Sequence, residues 1–464
     1  MGQGLSVVVL AAGEGKRFRS AVPKPLHPVA GRPLLWHVLA AAAPLKADRT
    51  VVVVGNGADQ VAAAVDGFDL GPVDFAVQAD QRGTGDALAT AMPLLDGDGD
   101  GDVLVLSGDT PLITAALLEG LLDAHRSARA AATLLTCTLE DPTGYGRILR
   151  DADGAVTGVV EERDATPAQR RLREVGAGMY VFRRPALDSL AELRPDNDQG
   201  EYYLPDLVPL VLAGGGRVAT AEGPAAEARG VNDRVELAAA EALLRRRLLE
   251  RLMLGGVTVV DPATTFVDAD VEVGQDSVLA PLTFLEAGTR VGARCRLGPN
   301  VRLHGCSVGD DATVTQTVAI SSTIGARAVV GPFVSLRPGS DLREGSKAGT
   351  FVEIKNSTVG PGSKVPHLSY VGDADIGAGV NIGAGTVFVN YDGVSKHHTT
   401  VGDGAFIGSD TMLVAPVTVG NGAQTAAGST ITKDVPPDAL AIERSDQRTI
   451  EGWAARRRRR KQKE

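Results

Sequence analysis

In the second half of the chain a small aliphatic residue returns at every sixth position. Val273, Leu279, Leu285, Val291, Leu297 and Leu303 form one unbroken run. Ile324, Val330, Leu336, Leu342, Ala348 and Ile354 form a second, and Val401, Ile407, Leu413, Val419, Thr425 and Ile431 a third. A helix repeats its face after about 3.6 residues and a strand after about 2, so neither gives this phase. A fixed period this short predicts stacked coils. Six residues per edge suits a three-sided parallel β-helix. Each edge inserts one aliphatic side chain and turns through a small residue, often Gly, as in Val273-Gly274, Val291-Gly292 and Val401-Gly402. An aromatic content of 4% fits an interior of Val, Ile, Leu and Ala.

A chain of 464 residues exceeds one ordinary core, so two or three domains are expected. Residues 1 to about 230 alternate short apolar strands (Ser6–Leu10, Thr50–Val54, Asp74–Gln78, Val103–Leu106) with helical stretches (Pro33–Ala43, Gly85–Leu95, Ala115–Ala128). That alternation predicts a mostly parallel sheet with helices on both faces and a ligand at the carboxyl ends of its strands. Arg234–Leu254 has neither Gly nor Pro and reads as a helix between the halves, stopped by Gly255-Gly256. The β-helix is expected to run to about Val435, where Pro436-Pro437 ends regular structure.

The net charge of −10 argues against general nucleic-acid binding. The basic run Arg456–Lys461 reads as a solvated end. Cys137, Cys295 and Cys306 are scattered thiols, which suits a reducing cytoplasm. Val7–Ala12 is too short for a signal or membrane helix. The acylation pattern Met1-Gly2 with Ser6 is read as accidental, because Ser6 opens an apolar strand. Asp96–Asp102 (DGDGDGD) lacks the Glu an EF-hand loop needs and reads as an acidic solvent turn.

The first strand runs into Leu10-Ala11-Ala12-Gly13-Glu14-Gly15-Lys16-Arg17. Small residues after a strand let backbone amides approach a polyphosphate. Lys24, between Pro23 and Pro25, adds a cation on a stiff segment. Glu14 is expected to point away from any triphosphate. Gln78 and the turn through Gly83-Thr84 could read a base edge. Ser107-Gly108-Asp109 sets a carboxylate at a strand end, and Asn232 offers a second oxygen. One Asp and one Asn suffice for Mg²⁺, which keeps waters and phosphate oxygens in its shell.

In the second half, Arg337 and Lys355 are cations on neighbouring coils, able to hold one phosphate. His367 follows, then Asn381, Ala384 and Asn390-Tyr391, where the hexad phase breaks between Val387 and Val401. A second break is expected near Val359–Ile376, around His367. Insertions that leave a coil commonly carry function. His367 is a candidate general base, since His is the side chain suited to proton transfer near neutrality. His304 and the His397-His398 pair read as structural or exposed.

The segments LAAGEGKR, PKPL, QADQRGTGDA, LSGDTPL, PTGYGRI, NDQGEYYLPD and GVNDR resemble the nucleotide-sugar pyrophosphorylases. With the repeats, the whole chain is similar to the bifunctional N-acetylglucosamine-1-phosphate uridyltransferase/glucosamine-1-phosphate N-acetyltransferases. The resemblance implies an α/β nucleotidyltransferase (Rossmann-like) domain, residues 1–230, joined by a helix, 231–255, to a left-handed parallel β-helix of hexapeptide repeats, 256–445, with a basic tail, 446–464. It implies acetyl transfer from acetyl-CoA to glucosamine 1-phosphate, then uridylyl transfer from UTP, supplying UDP-N-acetylglucosamine for bacterial cell-wall synthesis. Leu10, Ala11, Ala12, Gly13, Lys24, Gln78, Gly83, Thr84, Ser107, Gly108, Asp109, Gly146, Glu161, Gly176 and Asn232 would contact nucleotide or sugar, with Asp109 and Asn232 holding Mg²⁺. His367 would be the base. Arg337, Lys355, Tyr370 and Asn381 would bind the amino-sugar phosphate. Ala384, Asn390, Tyr391, Ser409, Ala427 and Arg444 would line the acetyl-CoA site. A homotrimer in the cytoplasm, without nucleic acid or membrane insertion, is implied as well.

Three positions depart from the family pattern. Lys16 stands where Thr or Ser is usual, which puts an extra cation near the phosphates. Gly176 stands where Asn would hydrogen-bond the sugar, and loss of such a bond costs about 0.5–1.5 kcal/mol. Pro366 replaces a usual Gly and stiffens the approach to His367.

Overall fold

The computed structural model describes residues 4–95 and 99–462, which form two compact units divided at Arg246 and Arg247. In the first unit a mixed sheet is centred on the strand Leu5–Leu10, which pairs in parallel with Arg49–Val54 on one side and Asp102–Ser107 on the other. Asp74–Val77 extends the parallel part. Glu174–Arg183 runs antiparallel to Asp102–Ser107 and to Ala132–Thr138, and four of the eight strand pairings among the described residues are antiparallel, so the sheet is mixed rather than mostly parallel. Val7, Val8 and Val9 are all fully buried, as expected of a strand covered on both faces. Val7 and Val9 join one apolar cluster, Val8 the cluster on the opposite face.

The helix Ala115–Ala128 begins at Thr114, whose hydroxyl accepts the Leu117 N–H at 3.2 Å. Leu118, Leu121, Leu122 and His125 form its buried face. The acidic run is not wholly a solvent turn. Asp96–Asp98 lie outside the described residues, but Asp102 is buried and accepts a 2.8 Å hydrogen bond from Arg126.

Parallel strands stack as three sheets of 11, 10 and 9 strands from Thr258 onward, the hexapeptide-repeat left-handed β-helix. Leu279, Leu285, Leu303, Leu336, Ile354, Ile407 and Leu413 are each 1% exposed or less. The glycine after the aliphatic residue is explained by stacking. A Cβ on Gly274 or Gly408 would lie 2.6 Å from the backbone nitrogen of the next coil. The turns themselves use left-handed backbone at other positions, among them Asp276, Arg294, Asn300, Phe333, Phe351 and Leu368.

Two expectations need correction. Val359, Val365 and Val371 keep the six-residue phase and are fully buried, so His367 does not sit in a break. The break falls later, at Val371 to Ile376, where the edge loses one residue. The same shortening occurs at Leu303–Val308 and Ala319–Ile324, far from His367 in sequence, so it is a property of one corner. Nor does regular structure stop at Pro436-Pro437. The prolines fill a turn, Val435 bridges to Val419, and Leu440–Ala441 pairs with Gln424–Thr425. The basic tail also forms a helix, Trp453–Lys461, with its residues exposed.

Each unit takes in part of the helix Arg234–Leu254. Ala240 packs in a cluster with Phe18, Leu34 and Leu112, whereas Leu249 and Leu252 join the β-helix core. Cys137, Cys295 and Cys306 are buried free thiols, and burial pushes Cys137 up to about 11.

Leu413→Ala should cost the second unit about 2–5 kcal/mol, because a fully packed coil cannot collapse into the hole. Val394→Ala, at 88% exposure, should stay within about 0.5 kcal/mol. Chemical denaturation of both variants checks the contrast.

Candidate functional site

The carboxyl ends of the parallel strands open into a cleft of about 570 Å³. Leu10, Ala11, Ala12, Gly13, Lys24, Gln78, Gly83, Thr84, Ser107, Gly108, Asp109 and Glu161 line it. Strand register brings them together: Leu10 pairs with Ser107, and Gly108 N–H donates to the Leu10 carbonyl at 2.9 Å. Gly83, at φ 115°, is overlain by Tyr202, whose carbonyl would lie 2.5 Å from an added Cβ. The Tyr202–Leu204 segment is tied down by the Gly85 N–H donating to the Tyr202 carbonyl and the Leu204 N–H donating to the Thr84 hydroxyl.

Lys24 is the centre of the cleft's electrostatics. Its ammonium pairs closely with Asp109 and donates to Asn232 Oδ1 at 3.0 Å. The two oxygen donors therefore converge on one cation position, although 123 residues separate them in sequence. The Ser107 hydroxyl donates to the other Asp109 oxygen at 2.7 Å. Val231 N–H donates to the Asp109 carbonyl at 2.9 Å, and Glu236 accepts the Asn232 N–H at 2.5 Å. Among the described residues no three His, Cys, Asp or Glu side chains gather as metal ligands. An Asp–Asn pair fits the small protein share of a Mg²⁺ shell.

Gln78 is buried, and its amide nitrogen donates to the Gly83 carbonyl at 3.1 Å and to Asp86 at 2.8 Å. Gly146 and Gly176 lie just behind the cleft wall. The Gly176 N–H donates to the Gly146 carbonyl at 2.9 Å, and a Cβ on Gly146 would lie 3.2 Å from Glu161. Burial, then the charges of Asp206 and Asp164, raises the Glu161 carboxyl above its ordinary value. A Cβ on Gly176 would meet nothing closer than Ile148 at 3.7 Å, so the missing side chain leaves room.

Glu14 lines the cleft and pairs with Lys16, the residue that departs from the family pattern. Gly178, Tyr180, Glu201, Leu204 and Pro205 also line the cleft and were missed. The NDQGEYYLPD segment held the signal for the last three.

In the second unit, Arg337 and Lys355 follow one another on successive coils, linked by the Arg337 N–H donating to the Ile354 carbonyl at 2.9 Å. Arg337 bonds Glu353 at 3.1 Å. Lys355 reaches both oxygens of Asp373 at 3.3 Å. Asp373 also accepts from Asn356 at 2.7 Å and from Asn390 at 2.5 Å, and the Asn390 amide lies 3.4 Å from the Tyr370 hydroxyl. Burial opposes ionisation of Asp373, but Asn356, Asn390 and Lys355 outweigh it and hold the carboxyl below its ordinary range. Asn390 is thus joined to the Tyr370–Lys355 group as well as to the loop that carries Tyr391.

Lys396, on that same loop, faces Lys355, which holds its ammonium below the ordinary lysine value. Neither Asp373 nor Lys396 was singled out in sequence. The inserted loop could have pointed to Lys396. Asp373 had no local signal, because stacking alone brings it to Lys355.

His367 ends the strand Lys364–His367, pairs with Thr350 and is exposed. Among the described residues its ring makes no hydrogen bond. Asn381 opens the strand one coil further on, paired with Lys364. Ala384, Ser409 and Ala427 descend one corner. The Ala384 carbonyl accepts from Asp410 at 2.7 Å, the Ser409 carbonyl from Gly428 at 2.8 Å, and the Ala427 carbonyl from Arg444 at 2.7 Å. Tyr391 is 55% exposed. His397 and His398 are tied to Asp392 and Asp375, and His304 lies 3.4 Å from Glu286.

Residues 7–204 match the family model of the MobA-like NTP transferase domain. Residues 398–433 match the bacterial transferase hexapeptide (six repeats), and 288–320 the hexapeptide repeat of succinyl-transferase. The chain is 52% identical over 456 residues to the bifunctional protein GlmU of Streptomyces avermitilis, covering 98% of this chain and 94% of that protein. It is 52% identical over 458 residues to that of Mycolicibacterium vanbaalenii, covering 98% and 93%, and 53% identical over 458 residues to that of Thermobifida fusca, covering 98% and 94%. The chain belongs to the GlmU family of bifunctional uridyltransferase–acetyltransferase enzymes.

Proposed function

We propose a division of labour in which residues 1–230 perform uridylyl transfer, 231–255 link, 256–445 perform acetyl transfer, and 446–464 form a basic tail. The observation that carries this reading is the presence of two separate clusters built on basic side chains, one in each unit. One is Lys24 with Asp109 and Asn232. The other is Arg337, Lys355 and Lys396 on the unit that bears His367.

In the first, a phosphate oxygen of N-acetylglucosamine 1-phosphate attacks the α-phosphorus of UTP, and the bond to the β-phosphate breaks to release pyrophosphate. The backbone of Leu10–Gly13 approaches the phosphates, and Lys24 offsets their charge. Asp109 and Asn232 would hold Mg²⁺, which supplies further charge neutralisation. Both amide protons of Gln78 are spent on Gly83 and Asp86, which leaves its carbonyl oxygen to accept from the N–H of a uracil edge. Gly83 and Thr84 position that base. Glu161, with Gly146 and Gly176 behind it, faces the sugar.

In the second, the amine of glucosamine 1-phosphate attacks the thioester carbonyl of acetyl-CoA, and the carbon–sulfur bond breaks to release the thiol. His367 takes the amine proton. Arg337 and Lys355 hold the phosphate, Tyr370 and Asn381 the sugar. Ala384, Asn390, Tyr391, Ser409, Ala427 and Arg444 receive the coenzyme along the open corner. A second subunit closes that corner in a cytoplasmic homotrimer. Phe333 and Phe351 support this: they stack at 5.3 Å and are 53% and 58% exposed, and Leu368, at the matching place on the coil after Phe351, is 62% exposed.

Asp109→Ala should lower pyrophosphate release by about two orders of magnitude or more and spare acetyl transfer. His367→Ala should do the reverse, read as loss of coenzyme A thiol release with glucosamine 1-phosphate. Loss of both activities in either folded variant would sink the two-site reading. Sedimentation should give three times the 48.0 kDa chain mass, and Phe351→Asp should shift it towards the monomer.

A further inference from the structure

The turn Gly13–Lys16 carries an electrostatic conflict. Glu14, 41% exposed, lines the same cleft as Lys24 and Asp109. Two like charges at about 4 Å repel by about 1 kcal/mol in bulk water and by about 4 kcal/mol at an effective dielectric of 20. A bare carboxylate here therefore opposes any polyphosphate. Lys16 resolves the conflict by pairing with Glu14. Gly15, between them at φ 62°, lies close against Lys24: an added Cβ would be 2.7 Å from the Lys24 Cβ. Both lysines line the cleft, and they differ in freedom. The Lys24 side chain is 13% exposed and committed to Asp109 and Asn232. The Lys16 side chain is 85% exposed, and among the described residues Glu14 alone holds it. The Glu14 carboxylate raises the Lys16 pKa, so the ammonium stays charged throughout the neutral range.

We propose that Lys16 is a mobile phosphate ligand, paired with Glu14 before nucleotide binds and then bridging Glu14 to the outer phosphates of the triphosphate and to departing pyrophosphate. The ammonium has three donors, so it takes up a phosphate oxygen without leaving the carboxylate bare. The long, exposed lysine stem makes this contact without disturbing packing. Lys24 meets the phosphates from inside the cleft, and Lys16, at its exposed rim, follows the end that leaves. The role belongs to this chain's departure from the family pattern, where Thr or Ser has no charge to offer. It rests on the nucleotidyl-transfer reading of the cleft.

The test uses the full chain, with UTP varied in the forward direction and pyrophosphate varied in reverse. Lys16→Thr should raise KM for both about three- to fivefold, the range an exposed charge contact supplies. Its kcat and its KM for the sugar phosphate should change little, and the dependence of KM on salt should become shallower. Glu14→Gln should lower both KM values, because Lys16 is then released. The double variant should remain weaker than the unaltered enzyme. Unchanged KM values in Lys16→Thr would overturn the proposal. So would a double variant that matches the unaltered enzyme, since Lys16 would then merely mask Glu14. An unaltered chain that consumes acetyl-CoA but is inert towards UTP would overturn the nucleotidyl-transfer reading as well.

Discussion

Coil-on-coil hydrogen bonding in parallel register governs the second unit. Each residue lies above its counterpart on the next coil, as Val278 pairs with Arg296 and Lys355 with Gly372. An aliphatic position must therefore recur in every edge, and a residue that faces solvent on one coil is neighboured by solvent-facing residues above and below. Side chains distant in sequence become columns. Arg337 and Lys355 form such a column at one corner, with Asp373 one place beyond Gly372 on the next coil, and Ala384, Ser409 and Ala427 form another. The site needs no special loop to assemble it, apart from the inserted segment that carries Tyr391 and Lys396.

The first unit obeys a different constraint. Its site lies where parallel strands end, and separate chain segments meet on a single ammonium. Lys24 draws together the turn after one strand, the Ser107–Asp109 segment and Asn232 near the start of the long helix. The helix takes part directly: Asp233 accepts from the Glu236 N–H, while the Glu236 side chain returns to the Asn232 N–H. A helix start is in this way used to hold a functional side chain.

Elements with strong local periodicity were legible in sequence. The helices Ala115–Ala128 and Arg234–Leu254 have the expected limits, since each depends on propensity and near-neighbour spacing. The hexads place one buried side chain on each edge they cover, but not the second set two positions earlier, such as Cys295, Ala328, Val352 and Ala405. What local pattern could not show was the compensation between segments. A shortened corner is invisible until the sheets are known, so the step from Val371 to Ile376 read as a site marker. The prolines at 436 and 437 read as a stop because a turn and an end share the same residues. Glu14 looked repelled from the cleft until its partner was seen, and the acid of Asp373 gained meaning only from the lysine a coil away.

The three buried thiols have a practical consequence. Cys137, Cys295 and Cys306 are each 3% exposed or less, and burial raises all three pKa values. A thiol-reactive dye needs thiolate and access. In the folded protein such a dye would be blind to the enzyme and would report only small-molecule sulfur. A single cysteine introduced on the exposed corner would then be the protein's sole bright position, free of background from its own sulfur.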